Sequence, residues 1–168
     1  MAADKFQRAM DCHRAGRLEE AEKLYRQVLA RDPAHARAAY LIGAIALGAS
    51  RADAAEEPLR RATQLEPANP AYHANLAEAY RRLGRYPQAI ASFETAMSLK
   101  PDMDEPPFNL GLLMEYAGEL EVAVACFERA AENKPDSAVI ARRLEDARAK
   151  HAARGRSELS PGPHELAI

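Results

Sequence analysis

The sequence is poor in aromatic residues and in cysteine. It contains no tryptophan, four phenylalanines, six tyrosines and two cysteines in 168 residues. β-Sheets are enriched in aromatic and β-branched residues, so this scarcity argues against an all-β fold. Two cysteines are too few for a disulfide framework, and neither has a second ligand at metal-binding spacing. We therefore expect Cys12 and Cys126 to be reduced and buried.

The chain also lacks a strong charge of one sign and a long apolar run. Its 23 basic residues nearly balance its 25 acidic ones, which disfavours a general binder of nucleic acid. The longest uncharged stretch, between Arg37 and Arg51, has 13 residues, fewer than the ~20 that a transmembrane helix needs. No apolar secretory segment precedes the first charged residues. These features predict a cytoplasmic protein with no membrane insertion.

Motifs for catalysis and for cofactors are missing as well. There is no glycine-rich phosphate loop, no nucleophile elbow and no recognisable catalytic set. Acidic pairs such as Glu19 and Glu20 are interpreted as solvated helix surface. The five histidines share no i, i+4 spacing that would put two of them on one helix face as metal ligands; they are His13, His35, His73, His151 and His164. The sequence predicts no enzyme, no cofactor and no metal site.

What the sequence has in excess is alanine, with 37 residues. Alanine has the highest intrinsic helix propensity and lets helices approach closely, so this excess favours a helical fold. Together with 18 arginines against 5 lysines, it is typical of a bacterial genome of high GC content.

Prolines recur every 34 residues, which indicates stacked repeats of one unit. The period is set by Pro33, Pro67, Pro101 and Pro135. Three further columns keep the same register: Ala21, Ala55, Ala89 and Ala123; Tyr25, Leu59, Phe93 and Phe127; Ala9, Gly43, Ala77 and Gly111. In a pair of helices, the small column allows close approach, the larger column fills the remaining space, and the proline ends the second helix.

These columns resemble the tetratricopeptide repeat, whose pattern runs W-x2-L-G-x2-Y, then A-x3-F, then P. The third unit matches best, although His73 stands where the pattern has tryptophan. The resemblance implies an all-α fold, a right-handed α-solenoid of helix-turn-helix units. We expect four repeats at residues 2–35, 36–69, 70–103 and 104–137, a capping helix at 138–153 and a disordered tail at 154–168.

The resemblance also implies a concave groove lined by the first helix of each repeat. Asn75 and Asn109 share one repeat position there, similar to the asparagine ladder in the repeats of O-linked N-acetylglucosamine transferases. An asparagine amide both donates and accepts hydrogen bonds, so it can pair with the backbone of an extended peptide. The alternative is that both side chains bond only to neighbours and to water.

An apolar anchor pocket is expected on the first two repeats. Tyr40, Leu41 and Leu47 would lie beside Phe6 and Met10. The alternative is that this patch is covered by other parts of the chain, either the side chains of Arg14 and Arg37 or the tail residues Leu166 and Ile168. Further groove residues are expected at Arg81, Arg82, Phe108 and Arg143.

The two-carboxylate clamp that some of these repeats use for chaperone tails is not matched. Only Asn109 and Arg143 fit its pattern, whereas Ala74, Glu78 and Val139 do not. The expected function is a non-catalytic adaptor that binds a protein or peptide in the groove. One alternative is a structural scaffold that assembles as a homo-oligomer, which growth beyond a dimer in light scattering would favour. Another is an accessory repeat module for a separately encoded enzyme such as a glycosyltransferase.

Overall fold

The computed structural model describes residues 2–159, with side chains from 4 to 155. Within this range the chain consists of helices and short turns without any strand, which confirms the all-α class. The helices are α1 Ala2–Arg14, α2 Leu18–Arg31, α3 Ala36–Gly48, α4 Ala52–Leu65, α5 Pro70–Arg82, α6 Tyr86–Leu99, α7 Glu105–Ala117, α8 Leu120–Asn133 and α9 Ala138–Leu159.

The chain divides into two compact units, Met1–Pro101 and Asp102–Ile168, called here unit 1 and unit 2. Unit 1 contains three helix pairs, α1 with α2, α3 with α4 and α5 with α6, each stacked on the next. Unit 2 contains the pair α7 and α8, and α9 packs on α8. Each unit is therefore built from helix-turn-helix repeats, the solenoid class that the sequence predicted.

The turn inside each pair needs a residue with a left-handed backbone. Gly16, Gly84 and Gly118 have φ values of 74°, 71° and 80°. Glycine adopts this conformation without the steric penalty of a Cβ atom, which is why it ends helices so often. Ser50 takes the same place in the second pair at φ 58°, so this turn forms without glycine.

Close helix packing inside a pair explains the small-residue column. A methyl group at Gly43 would lie 2.4 Å from Cγ of Leu59, which is fully buried. In unit 2 a methyl group at Gly111 would lie 2.7 Å from the ring of Phe127, also fully buried. Because neither partner side chain has space to withdraw, these positions admit only glycine without rearrangement.

The last helix is longer than expected. We expected a cap ending at residue 153 and a tail from 154, but α9 continues to Leu159. Ala152 and Ala153 favour helix at this point, and Nη1 of Arg154 donates a hydrogen bond of 2.8 Å to the carbonyl oxygen of Gly118. The remainder of the expected tail, residues 160–168, lies outside the described residues.

Candidate functional site

The first helices of unit 1 carry most of the groove residues expected from the sequence. The surface formed by α1, α3 and α5 is called here the first-helix face. It holds Phe6 and Met10 on α1, Tyr40 and Leu41 on α3, and Asn75 on α5, and all five side chains are half-buried. Each is thus partly available to another molecule while it packs against its own helix pair.

Phe6 lies at the centre of a small aromatic group. Its ring centroid is 4.6 Å from that of His35 and 5.7 Å from that of Tyr25. Tyr25 donates a hydrogen bond of 3.2 Å from its hydroxyl to the sulfur of Met10. Burial raises the pKa of this hydroxyl above its ordinary value, and the positive charge of Arg37 offsets part of that rise. The group therefore holds Phe6 and Met10 in fixed positions at the edge of the core.

Tyr40 and Leu41 form an apolar shelf on α3. The Tyr40 ring stacks on Tyr72 of α5, with centroids 4.6 Å apart and 27° between planes. Burial, with added contributions from Glu66, raises the pKa of Tyr72 to about 12. Leu41 packs on the other side, against the core cluster of the first repeat that includes Ile42. The shelf thus bridges the core contacts of neighbouring repeats.

Leu47 is not a groove residue. Its exposed fraction is 7%, and it packs in a core cluster with Leu59 and Leu76. The expectation failed because α3 is apolar on all sides from Ala38 to Leu47, so the sequence pattern does not separate the face toward α4 and α5 from the face toward solvent. In the folded unit, side chains of both neighbouring helices cover Leu47.

Arg81 and Arg82 both bind one carboxylate. Arg81 donates two hydrogen bonds of 2.7 Å to Glu78, and Nε of Arg82 donates another of 2.6 Å. Nη1 of Arg82 also donates to the backbone oxygen of Leu47 at 2.7 Å. Burial alone would raise the pKa of Glu78, but the hydrogen bonds and charges of the two guanidinium groups outweigh it and lower that pKa. The cluster therefore ties α5 to the end of α3.

Asn75 has a side-chain amide that no other part of the described chain engages. Within residues 4–155, this half-buried group makes no hydrogen bond. The alternative stated above was that the amide bonds to neighbouring side chains and to water. Among the described side chains, the structure contains no such bond to a neighbour. The amide faces water with both donor and acceptor capacity unused by the protein.

The apolar patch is covered in part, as one alternative anticipated. The guanidinium carbon of Arg37 lies 5.7 Å from the centroid of the Phe6 ring, within the range of a cation–π contact. Arg14 pairs with Asp11 at 3.0 Å. The tail residues Leu166 and Ile168 lie outside the described residues.

The remaining expected site residues belong to unit 2. Phe108 packs at a tilt on Phe127, with ring centroids 5.7 Å apart, and lines a cavity of about 340 Å³. Arg143 lies 3.8 Å from Glu115, a carboxylate that Lys150 also binds. Asn109 is half-buried, and like Asn75 it has no hydrogen-bond partner among the described side chains.

Sequence analysis missed His35 as part of the first-helix face. It precedes α3 and caps it, because its Nδ1 accepts a hydrogen bond of 3.2 Å from the amide of Ala38. Asn69 holds the same repeat position before α5 and accepts from Ala71 at 3.2 Å. Asparagine is a common cap and histidine a rare one, so the shared repeat position was the only signal for His35.

The described residues contain neither a cluster of metal ligands nor a helix that could span a membrane. No group of three or more histidine, cysteine, aspartate or glutamate side chains in that part of the chain is arranged to hold a metal ion. None of the described helices combines the length and the apolar character needed to cross a membrane.

Comparison with known families identifies the repeats. Two sequence profiles of the tetratricopeptide repeat match the chain, one at residues 6–70 and the other at residues 70–103. Together they span unit 1 from the first turns of α1 to just beyond α6, and more than half of the chain. No curated protein matches the sequence.

Solved structures with the same fold are numerous. A crystal structure of MamA has a TM-score of 0.81 at 20% identity, with 88% of this chain and 86% of that chain covered. A MamA fragment from Desulfovibrio magneticus has a TM-score of 0.75 at 22% identity, covering 82% and 78%. Cut9, in a hetero-tetramer with Hcn1, has a TM-score of 0.78 at 18% identity, covering 88% of this chain and 30% of that one. At these identities the likeness shows a shared fold.

Proposed function

This chain belongs to the tetratricopeptide repeat family, and from that premise we propose that it is a non-catalytic adaptor that binds a protein segment across the first-helix face. The observation that carries the proposal is the combination of Asn75, whose amide is unused within the described chain, with the partly exposed apolar shelf of Tyr40 and Leu41. The shelf supplies apolar contact and the amide supplies a hydrogen-bond donor and acceptor.

The physical basis is the one that applies to any extended peptide on a helical surface. Covering the exposed parts of Phe6, Met10 and the shelf removes apolar area from water, which favours binding by about 25 cal/mol per Å². An extended segment also presents unpaired backbone N–H and C=O groups. A side-chain amide such as that of Asn75 can accept a hydrogen bond from the N–H and donate one to the C=O. Apolar contact and backbone pairing together would hold a segment without any covalent chemistry.

Unit 2 offers a second set of contacts of the same kind. We propose that Asn109 pairs with backbone there, while Phe108 and Arg143 supply apolar and charged contact. The support is that the amide of Asn109 has no partner among the described side chains and that Phe108 borders a cavity. Cut9, a chain of the same fold, assembles with another protein in its crystal structure.

The test begins with a peptide selection on the full chain. A library of random dodecapeptides would be selected against the purified protein, and the enriched peptides synthesised and measured by fluorescence polarisation. We expect Asn75→Ala to weaken their binding roughly 5- to 150-fold, the equivalent of about 1 to 3 kcal/mol for a lost hydrogen bond to a buried group. Because the amide has no partner within the described chain, the melting temperature should not fall.

The matched control is Gln27→Ala on α2, which removes an exposed amide from a second helix. It should leave affinity unchanged. If Asn75→Ala and Gln27→Ala both bind every enriched peptide as the unchanged protein does, the first-helix face is not the binding surface. Leu41→Asp is less informative, because Leu41 also packs against the core and the variant would lose stability together with affinity.

A further inference from the structure

Charge is distributed unevenly between the two kinds of helix in unit 1. The first helices α1, α3 and α5 carry six lysine or arginine residues against three aspartate or glutamate residues. The second helices α2, α4 and α6 carry five against seven. The first helices are thus net basic in a chain whose overall net charge is −2. A surface that departs in sign from the rest of the molecule favours a partner of the opposite sign.

Arg37 is the basic residue of α3, a helix with no acidic residue at all. Its guanidinium group lies over the Phe6 ring, and no carboxylate among the described side chains lies within ion-pair distance of it. Its positive charge offsets part of the rise that burial causes in the pKa of Tyr25 and in that of Tyr72. Arg37 is therefore an exposed, unneutralised charge at the beginning of α3.

A second excess of positive charge lies at the other end of α3. Arg81 and Arg82 share the single carboxylate of Glu78, and Arg82 reaches the carbonyl of Leu47 near the end of α3. Two guanidinium groups against one carboxylate leave one net positive charge. Both arginines keep N–H groups that these bonds do not use, since each guanidinium carries five.

The spacing of the two positive sites defines what fits between them. From Arg37 to Leu47 is ten residues of helix, or roughly 15 Å at about 1.5 Å per residue. An extended chain rises about 3.3 Å per residue, so roughly four to five residues of it span this distance. The shelf of Tyr40 and Leu41 lies between the two sites along α3. The order along the helix is thus basic, apolar, basic.

We propose that the segment bound at the first-helix face is acidic, with carboxylates four or five residues apart on either side of apolar side chains. This inference rests on the proposed function and adds the chemical class of the partner. One carboxylate pairs with Arg37 and the other with the Arg81 and Arg82 cluster, while the apolar residues between them cover Tyr40 and Leu41. Arginine suits this role because its planar guanidinium binds a carboxylate through two parallel hydrogen bonds.

Nucleic acid fits the same charges less well. Its affinity comes from neutralising many phosphates along a continuous track, whereas here the two positive sites are separated by an apolar shelf. The second helices of unit 1 carry more acidic than basic residues and would repel a polyanion. An acidic protein segment satisfies both the charged sites and the shelf.

The experiment uses the dodecapeptides enriched on the full chain. We expect them to be rich in aspartate and glutamate around apolar residues. Arg37→Glu should weaken their binding roughly 10-fold or more, the range of a hydrogen bond between charged groups. The variant should fold, because Arg37 is exposed in the first turn of α3, where a negative side chain is favoured by the helix dipole. Arg37→Gln, which removes the charge without reversing it, should give a smaller loss in the same direction.

The matched control is Arg31→Glu on α2, an exposed residue that changes the net charge by the same amount. It should change affinity less than about threefold, because the two sites lie on different kinds of helix and exposed charges are screened by salt. Equal effects of Arg31→Glu and Arg37→Glu would mean that only the net charge of the molecule matters, and would overturn the proposal.

Failure of this inference and failure of the proposed function give different results. Enriched peptides that are neutral or basic, yet lose affinity with Asn75→Ala, would overturn the acidic partner and leave the adaptor function intact. An absence of enriched peptides, or affinity independent of Asn75, would contradict both. Binding of a labelled 20-nucleotide oligothymidylate that depends on Arg37 and that the peptides do not displace would assign the charges to nucleic acid instead.

Discussion

At the scale of single residues, Glu78 shows how the surroundings of one side chain set its charge. Its side chain is 14% exposed, and two guanidinium groups donate hydrogen bonds to it. Burial would raise its pKa, but Arg81 and Arg82 lower it below the ordinary value of 4.5. The carboxylate is therefore ionised in the folded protein at pH values where an exposed glutamate takes up a proton.

This lowered pKa makes a prediction for stability. A group whose pKa is lower in the folded than in the unfolded chain stabilises the fold above its ordinary pKa and loses that contribution as the pH falls through the folded value. We expect Glu78→Gln to lower the free energy of unfolding at pH 7 by on the order of 1 to 3 kcal/mol, since two arginines lose their partner. The difference from the unchanged protein should shrink as the pH falls below 4.5.

Urea unfolding at pH 7 and at pH 3.5 measures this difference. The matched control is Glu57→Gln, because Glu57 pairs with Arg60 but its side chain is 69% exposed. Exposed pairs contribute little, so this variant should differ from the unchanged protein by less than about 1 kcal/mol at either pH. A Glu78→Gln deficit that stays constant between the two pH values would show that the carboxylate is not responsible.

The environments of single residues were the part least accessible to sequence analysis. The pattern identified Arg81 and Arg82 as groove candidates but did not show that both are held by Glu78. It predicted that Leu47 faces the groove, whereas in the structure this side chain is buried in the core. The reason is physical: which partner an arginine chooses, and which side of an apolar helix is covered, depend on neighbouring helices that the local sequence does not describe.

At the scale of elements, much of the fold was predictable from the repeat. Pro67 lies two residues after the end of α4, and Pro101 lies two residues after the end of α6. Glycine occurs in three of the four turns inside helix pairs. These positions were predictable because in any sequence context proline fixes φ and lacks a backbone N–H, while glycine permits a positive φ. The residue at which α9 ends could not be predicted from the local sequence, because Arg154 donates a hydrogen bond to the carbonyl oxygen of Gly118, which is distant in sequence.

Packing between the helices of a pair gives a prediction at this scale. Gly43 lies where α3 contacts α4, and an added methyl group would lie 2.4 Å from Cγ of Leu59. We expect Gly43→Ala to lower the free energy of unfolding by about 1 to 3 kcal/mol through overpacking. Thermal or urea unfolding followed by circular dichroism measures the change.

The control for this prediction lies on the same helix. Gly48 has no atom within 4 Å of an added methyl group, so Gly48→Ala should be neutral or stabilising by up to about 1 kcal/mol, because alanine favours helix more than glycine does. Equal stability of Gly43→Ala and Gly48→Ala would contradict the close contact between α3 and α4.

At the scale of the whole molecule, stacking of repeats accounts for how a surface of this kind arises. Each helix pair buries one side against its neighbours, and the first helices of successive pairs present their remaining side chains together. In unit 1, Phe6, Met10 and Leu41 pack against one core cluster, and Asn75 holds on α5 the repeat position that Leu41 holds on α3. The repeat predicted that such a face exists; its chemistry is specific to these side chains.

The measurement that tests this account most directly is a nuclear magnetic resonance titration of the ¹⁵N-labelled full chain with the tightest selected peptide. We predict that amide shifts in unit 1 concentrate in α1, α3 and α5, with the largest changes near Arg37, Leu41 and Asn75. The second helices should change little at the same peptide concentrations. Shifts concentrated in α2, α4 and α6, with the first helices unaffected, would contradict binding at the first-helix face.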